Sequence, residues 1–313
     1  MDGGRPFAGL KVLDLSQGIA GPQAGMMLAQ AGADVAKIEP PEGDWGRRIG
    51  KRFGEHCAVS LAMNRGKRSL AVDMKSAEGR ALVRRLARSS DVLIEGFRPG
   101  VMARLGLDYP SLAKECPRLV YASVSGFGQE GPLSERPATD SVLQAFSGMY
   151  RANAADDGLP RRVTFFPIDM VTGIWGYGAI VTALFHRQTT GRGTHLDLAM
   201  MRVAGAMQAI DLIKYRAEGP APEIPLVPLG AYRTRDGWIS LSVLNDGQFK
   251  ALMEAMGSAE LARDPRFVDA AARRENGATL QAMLEREFPK RDTADWDQRL
   301  GKAGILSAPI ADF

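Results

Sequence analysis

One carboxylate in this chain stands where it could carry covalent chemistry. Asp169 follows Pro167 and precedes an uncharged, mostly apolar run over residues 170–186. At the start of a helix, free backbone N–H groups and the helix dipole favour the ionised form of such a group. Aspartate is also a common helix N-cap, and the local sequence taken alone favours that structural role. Asp169 therefore has two interpretations, a cap and a nucleophile, which are compatible with each other.

Two stretches place cations beside predicted strands. They are NRGKRSLAVDMK, residues 64–75, and EGFRPGVMARLGL, residues 95–107, which offers Phe97, Arg98 and Arg104. Guanidinium and ammonium groups next to an aromatic face suit a phosphorylated nucleotide. Because most arginine-rich loops are simply solvated, this pattern alone does not separate a ligand site from an ordinary surface.

Histidine and cysteine offer no alternative chemistry. The three histidines are not spaced as metal ligands and do not accompany a serine elbow motif, and the two cysteines form no CxxC pair. These residues are His56, His186, His195, Cys57 and Cys116. We expect no metal site and no disulfide framework.

The glycines of the first predicted strand-to-helix turn argue against common nucleotide cofactors. Gly18, Gly21 and Gly25 do not match G-x-G-x-x-G, and the chain contains no G-x-x-x-x-G-K-[ST] motif. NAD and ATP therefore lose most of their support. The glycines are equally explained by tight packing between a strand and a helix.

Charge and composition exclude several function classes. The net charge of +4 comes from 40 basic and 36 acidic residues that are dispersed along the chain, so nucleic-acid binding is not expected. The N-terminal MDGGRPFAG has no apolar signal core, and no uncharged run reaches the ~20 residues that span a bilayer. We expect a cytoplasmic protein without a membrane partner.

Predicted strands and helices alternate through the first part of the chain, which indicates an α/β fold with a mostly parallel sheet. Helical patterns follow the first and third strands, with Pro22 in a first turn and Ser76 as an N-cap. Ligands of such sheets bind beyond the carboxyl ends of the strands. The predicted strands are residues 11–16, 35–39, 68–74, 91–95, 119–127 and 194–200.

The pattern changes after residue 200. A helix and a proline-rich segment form residues 201–229. This stretch predicts a semi-rigid linker between a first domain, residues 1–200, and a second domain, residues 230–313. Its prolines are Pro220, Pro222, Pro225 and Pro228. YRTRDGWISLSV predicts a hairpin, and helical patterns follow it. The second domain is therefore expected to be small and α+β.

Several segments in this order resemble the class III CoA-transferase family, which includes formyl-CoA and carnitine CoA-transferases and the related α-methylacyl-CoA racemases. They include KVLDLSQGIAGPQAGMMLAQAGADVAKIEPPEGD, DVLIEGFRPGVMARLGLDYPSL and FFPIDMVTGIWGYGAIVTALFHRQTTGRG. The resemblance covers essentially the whole chain. It implies a large Rossmann-like domain, a smaller domain and an interlocked homodimer.

The resemblance also implies an activity: CoA moves from an acyl-CoA thioester to a small carboxylic acid through an aspartyl anhydride and an aspartyl-CoA thioester. Coenzyme A is then a co-substrate, no metal takes part, and Asp169 is the nucleophile. Arg136 and Asp140 would flank the pantetheine and acyl portion. The remaining CoA contacts implied are Ile19, Ala20, Val72, Asp73, Met74, Lys75, Gly96, Phe97, Arg98 and Arg104.

The chain departs from the family pattern at several points. Gly96 stands where members usually carry asparagine, and Thr139 precedes Asp140 where racemases place histidine. LVPLGAYRTRDGW has no glycine-rich active-site loop, which argues against oxalate as acceptor, and the usual C-terminal return segment is missing from the pattern. A racemase or a non-catalytic CoA-ester-binding protein remain the alternatives to a transferase.

Overall fold

A computed structural model describes residues 4–154, 158–219 and 227–312 of the chain. The chain divides into two compact units, Met1–Leu212 and Ile213–Phe313. Most of the predicted proline-rich linker, residues 220–226, lies outside the described residues. Of its prolines, only Pro228 is described.

The first unit is built on a parallel sheet of six described strands in the order β5-β2-β1-β6-β7-β8, with a separate two-stranded β3–β4 hairpin. The predicted parallel α/β sheet is confirmed. Its central strands are almost wholly buried, as expected of a parallel sheet covered by helices on both faces. The described strands are Lys11–Asp14 (β1), Asp34–Glu39 (β2), Arg52–Phe53 (β3), His56–Cys57 (β4), Arg68–Ala71 (β5), Val92–Glu95 (β6), Val120–Ser125 (β7) and His195–Ala199 (β8).

Helices follow most of these strands, and Trp45–Arg48 forms a 3-10 turn after β2. The predicted cap at Ser76 is confirmed, because its side chain accepts a hydrogen bond from the Gly79 N–H at 2.9 Å. The described helices are Ala20–Gln30 (α1), Ala58–Met63 (α2), Ala77–Arg88 (α3), Val101–Arg104 (α4), Tyr109–Ala113 (α5), Asp140–Phe146 (α6), Met149–Ala152 (α7), Pro167–Thr190 (α8), Met200–Met207 (α9) and Ala209–Glu218 (α10).

Helix α8 packs against α1 over the sheet. Ile168, Ile180 and Leu184 on one face of α8 join a core cluster that also contains residues of β1, β6 and β7. Gly173 permits the close approach, because a Cβ there would lie 2.8 Å from the Ala20 carbonyl oxygen. By length and apolar composition α8 could cross a bilayer, a test that core helices of soluble proteins also pass.

The second unit contains an antiparallel sheet in the order β11-β10-β9. The predicted hairpin is confirmed by the antiparallel pairing of β9 with β10. A buried arginine, Arg273, ties helix to loop by donating to the Phe267 carbonyl and to Asp246. The described elements are Leu229–Arg233 (β9), Trp238–Ser242 (β10), Asp246–Met256 (α11), Ala270–Glu275 (α12), Gly277–Glu287 (α13), Thr293–Lys302 (α14) and Leu306–Pro309 (β11), with 3-10 turns Ala259–Arg263 and Phe288–Lys290.

Candidate active site

A cavity of about 350 Å³ opens at the carboxyl ends of β1, β6 and β7 in the first unit. Strands β2 and β5 continue the sheet on one side of β1, and strands β7 and β8 continue it on the other side of β6. The strand order therefore reverses between β1 and β6, which makes the position between these two strands the topological switch point. Open parallel sheets bind ligands at this point, since the loops after the two central strands diverge there. The cavity therefore lies where the sequence predicts a ligand site.

The structure brings eight of the residues singled out by sequence to this cavity. They come from the turn after β1, the loop after β6, the approach to α6 and the first turn of α8. They are Ile19, Ala20, Gly96, Phe97, Arg98, Arg136, Asp140 and Asp169.

The other five do not line the cavity. Val72 is buried in the core beside β5, and the Lys75 N–H donates to the Asp73 side chain at 2.9 Å in the turn that also contains Met74. This turn follows the edge strand, two strands away from β1. Arg104 is the last residue of α4. Its side chain folds back toward Gly100, since a Cβ added to that glycine would lie 3.3 Å from the Arg104 guanidinium. Only an extended ligand could contact the cavity and these residues together.

Asp169 is not the cap of its helix, and the interpretation of the residue as an N-cap is wrong. It is the third residue of α8, and the N-cap position belongs to Phe166, whose side chain makes no capping bond. The cap comes from Asp140, whose Oδ2 accepts the N–H groups of Ile168 at 2.8 Å and of Asp169 at 3.0 Å. The Asp169 carboxyl group is thereby left free to face the cavity.

Asp140 is itself held in place by Gln144. The Gln144 amide nitrogen donates to Asp140 Oδ1 at 2.5 Å, and its oxygen accepts the Val163 N–H at 3.0 Å. Both polar side chains are buried, Asp140 at 3% and Gln144 at 0% exposure. A fully hydrogen-bonded buried pair of this kind is rigid, so it fixes the start of α8 and the position of Asp169.

The environment of Asp169 makes its ionised form less favourable than the local sequence implies. Burial, and then the negative charge of Asp140, raise the pKa of Asp169 to about 7, and only a hydrogen bond from the Ala20 backbone opposes this. Ala20 is the first residue of α1 and Asp169 lies in the first turn of α8, and both line the cavity. The expectation of a carboxylate kept ionised by its helix start needs this correction.

Two arginines at the cavity have no carboxylate partner within the part of the chain that the structure describes. Arg98 is exposed in the loop after β6, and Arg136 lies over the Phe146 ring at 5.1 Å. Unpaired guanidinium groups beside a cavity can bind a carboxylate or a phosphate. The cavity thus combines a titratable acid with cationic groups.

Gly96 leaves room at the cavity rather than relieving a clash. A Cβ at this position would lie no closer than 3.5 Å to Ser16, an ordinary packing distance. Sterics therefore do not require glycine where the resembling family carries asparagine. Glycine supplies no side-chain hydrogen-bonding group at this position.

A buried glutamate supports the loop that contains Phe97. Glu95 ends β6, and its Oε2 accepts the Phe97 N–H at 2.8 Å. Burial raises the pKa of Glu95 to about 7, although Ser123 and the Phe97 N–H both lower it. Sequence reasoning did not single out Glu95, nor Trp45, which also lines the cavity. The sequence marks Glu95 in one way, as a charged residue at the end of an apolar strand.

Replacing Asp140 by alanine should both misplace and acidify Asp169. The variant leaves the N–H groups of Ile168 and Asp169 and the Gln144 amide without their acceptor, which costs about 1–3 kcal/mol of stability. Loss of the neighbouring negative charge lowers the pKa of Asp169. Displacement of the acid should reduce turnover about 100-fold. Thermal unfolding and pH-rate profiles measure these effects, with Ser141→Ala as control; an unchanged pH profile would contradict the assignment.

An acid of raised pKa and two arginines without a carboxylate partner among the described residues thus line one cavity at the switch point of the parallel sheet. The model of CoA-transferase family III matches residues 7–313 of the chain. The chain belongs to this family and is a class III CoA-transferase. The family resemblance seen in the sequence is thereby confirmed.

Relatives of known name support this assignment. The chain is 39% identical over 98% of its length to acetyl-CoA:oxalate CoA-transferase from Acetobacter aceti, of which it covers 81%. It is 38% identical over 94% of its length to succinate–glutarate CoA-transferase from Agrobacterium fabrum, of which it covers 76%. The crystal structure of a CAIB/BAIF family protein from Brucella suis matches with a TM-score of 0.89 and 37% identity, over 99% of this chain and 85% of that one.

Proposed function

We propose that the protein moves CoA from an acyl-CoA thioester to a small carboxylic acid, with Asp169 as the covalent nucleophile. One observation carries the proposal: Asp169 lines the cavity from the first turn of α8, and a different residue supplies the cap of that helix. A group that is not needed to cap its helix is available for chemistry. The family to which the chain belongs supplies the reaction class.

The first step forms an anhydride. A carboxylate oxygen of Asp169 attacks the thioester carbonyl carbon, the C–S bond breaks, and CoA leaves as a thiolate. The Ala20 backbone at the start of α1 lowers the pKa of Asp169 and so favours the carboxylate needed for this attack. Covalent catalysis of this kind divides one difficult transfer into easier steps.

The second step returns CoA to the enzyme. The thiolate attacks the Asp169 carbonyl of the anhydride, the donor acid leaves as a carboxylate, and an aspartyl-CoA thioester remains. The acceptor carboxylate then attacks this thioester and releases the thiolate, which takes the acceptor acyl group from the new anhydride. Asp169 is regenerated as a carboxylate, and each bond formed is matched by one broken.

The chemistry explains why a carboxylate suits this reaction better than a hydroxyl nucleophile. A serine would form an ordinary ester, and the activation of the thioester would be lost. An aspartyl anhydride stays reactive toward a thiolate, so the free energy of the thioester is conserved. Water must be kept away from both intermediates, which a partly enclosed cavity favours.

Coenzyme A binding is proposed along the same edge of the sheet. Arg98 and Arg136 at the cavity suit the anionic groups of the CoA ester or the acceptor acid, and the turn around Lys75 with Arg104 suits a more distant part of the nucleotide. Thr139 lines the cavity where racemases carry histidine. This position supplies no imidazole for proton transfer, so the geometry favours acyl exchange over racemisation.

Acyl exchange with a panel of substrates tests the proposed function. The purified protein is incubated with acetyl-CoA or succinyl-CoA and with oxalate, glutarate or succinate, and new CoA esters are detected by mass spectrometry. We expect transfer to at least one acceptor. Binding of CoA esters with no exchange in any pair would instead support a non-catalytic role, and α-carbon deuterium uptake without exchange would support a racemase.

The rate of exchange should rise with pH through neutrality. The nucleophile must be ionised, and a pKa of about 7 leaves Asp169 about half ionised at pH 7 and about one-tenth ionised at pH 6. We therefore expect kcat/KM to fall about tenfold per pH unit below pH 6 and to level off above pH 8. Glu95 has a similar pKa, so Glu95→Gln serves as the control that must keep the same profile. A flat profile from pH 5 to pH 8 would contradict this prediction.

A homodimer is part of the proposal. Helix α10 has no buried residue, and Ile210 and Ile213 on it are 72% and 68% exposed. Phe185 on α8 is similarly exposed. Apolar surface of this kind is typical of protein interfaces. We expect light scattering to give twice the mass of one chain; a monomer at micromolar concentration would contradict the dimer.

A further inference from the structure

Four buried charged side chains hold the first strand-to-helix turn, and we call them the buried clamp. They form two ion pairs, Lys37 with Asp44 at 2.9 Å and Lys67 with Asp14 at 2.7 Å. No side chain of the clamp is more than 2% exposed. None of the four lines the cavity.

The Lys37–Asp44 pair holds the turn from two directions. Lys37 Nζ donates to the Ser16 carbonyl oxygen at 2.6 Å. Asp44 Oδ1 accepts the Gly18 N–H at 3.0 Å. The backbone on both sides of Gln17 is therefore fixed by charge-assisted hydrogen bonds, which are about twice as strong as neutral ones.

The Lys67–Asp14 pair holds the residues on either side of this turn. Asp14 Oδ1 accepts the Ser16 N–H at 3.0 Å, at the end of β1. Lys67 Nζ donates to the Pro22 carbonyl oxygen at 2.6 Å, in the first turn of α1. Together the two pairs form hydrogen bonds with the backbone from the end of β1 to the first turn of α1.

Asp44 also connects the turn with a second wall of the cavity. Its Oδ1 accepts the Gly46 N–H at 2.7 Å, which caps the 3-10 turn that begins at Trp45. The Trp45 ring lies directly against Gly18, since a Cβ on that glycine would overlap it. Trp45 and the first turn both line the cavity, so Asp44 sets their relative position.

Stability alone does not explain four buried charges. Well-packed apolar residues in place of buried ion pairs are often neutral or stabilising, because removing charges from water is costly. Every charged group of the clamp instead forms a hydrogen bond with the backbone of one segment, residues 16–22. The two lysines donate to carbonyl oxygens and the two aspartates accept N–H groups. The first residue of α1 in this segment, Ala20, lines the cavity together with Asp169, and its backbone lowers the pKa of the Asp169 carboxyl group.

We propose that the buried clamp positions the first strand-to-helix turn so that the Ala20 N–H meets the Asp169 carboxylate. Its four members are positioning residues, which act on the reaction through Ala20. The effect on acyl transfer rests on the proposed function, in which Asp169 is the nucleophile. The effect on the ionisation of Asp169 does not depend on that function.

The test removes the Lys37–Asp44 pair while keeping its volume. In Lys37→Met/Asp44→Asn the Ser16 carbonyl loses its donor, the turn loosens, and the Ala20 backbone, which lowers the pKa of Asp169, moves away from the carboxyl group. Carbon-13 NMR of labelled aspartate carboxyls in the full-length protein should show the Asp169 pKa about one unit above its wild-type value. Asp169→Asn identifies the signal, and Asp140, the other charged group facing it, is present in every variant. Acyl exchange at pH 7 should fall about 10–100-fold.

The matched control removes an exposed ion pair from the same unit. Arg88→Met/Glu115→Gln breaks a contact of 2.7 Å between side chains that are 57% and 31% exposed. It should change neither the pKa of Asp169 nor the exchange rate, because exposed pairs contribute little. Should the clamp variant fail to fold, Lys37→Arg, which keeps the charge but moves the donor from Ser16, decides by the same titration.

The outcomes separate the two proposals. A folded clamp variant with an unchanged pKa of Asp169 overturns the positioning role, whatever its exchange rate. A raised pKa with unchanged exchange supports the clamp but contradicts Asp169 as the nucleophile. A raised pKa with slower exchange that partly recovers at pH 9 supports both, since alkaline pH restores the carboxylate.

Discussion

Replacing Asp169 by alanine should abolish CoA transfer while binding of the CoA ester persists. The variant lacks the group that forms the anhydride, so exchange should fall by a factor of ~10⁴ or more. Binding should survive, because the arginines at the cavity and the loops around it are unchanged. Exchange assays and calorimetry with a CoA ester measure the two effects, with Asp34→Asn, at an exposed aspartate, as control. Near-normal exchange in the alanine variant would contradict the mechanism.

The asparagine variant of the same residue should be more stable than the wild type near neutral pH. The pKa of Asp169 rises from 3.8 to about 7 on folding, so between these values the folded state holds the proton more tightly. Stability of the wild type is therefore lost as pH rises from about 4 to about 7, by roughly 2–4 kcal/mol. Asparagine cannot ionise and escapes this loss. Denaturant titrations at pH 5 and pH 8 should show an advantage for Asp169→Asn that grows with pH; an advantage independent of pH would contradict this account.

Two glycines on one helix should respond in opposite directions to the same substitution. In Gly173→Ala the new Cβ would lie 2.6 Å from Gln23 Cβ and 2.8 Å from the Ala20 carbonyl oxygen. Helix α8 must move away from α1, which should cost about 1–3 kcal/mol. The same movement separates Asp169 from the Ala20 N–H, so exchange should fall about 100-fold.

Gly178→Ala is the matched control for this prediction. Nothing lies within 4 Å of a Cβ at position 178. Alanine is the better helix former by about 0.5–1 kcal/mol, so this variant should be slightly more stable and fully active. Thermal unfolding and exchange assays on both variants give the comparison. Equal effects of the two substitutions would contradict a close contact between α1 and α8 at the site.

Sequence patterns predicted the parts of the fold that local physics controls. Buried apolar runs gave the strands of the parallel sheet, and residues such as Ser76 marked where helices begin. The position of the cavity agrees with a general property of parallel sheets, since Ile19 and Phe97 follow the carboxyl ends of β1 and β6. The family resemblance supplied the chemistry, which no local pattern contained.

The misjudged features depend on residues far apart in the chain. Asp140 caps α8 from 28 and 29 positions away, and no spacing rule predicts such a bond. The first-turn argument for Asp169 considered only its own helix, whereas burial and Asp140 dominate its ionisation. The clamp pair of Lys67 with Asp14 is likewise separated by 53 residues. Tertiary packing, rather than propensity, determines each of these features.

The most direct test of the central claim is to trap the covalent intermediate. The protein is incubated with an acyl-CoA ester, quenched with hydroxylamine and digested, and the modified residue is located by mass spectrometry. We expect a hydroxamate on Asp169, formed from either the anhydride or the aspartyl-CoA thioester. Exchange-competent protein in which Asp169 remains unmodified, or a hydroxamate on another carboxylate, would contradict the mechanism.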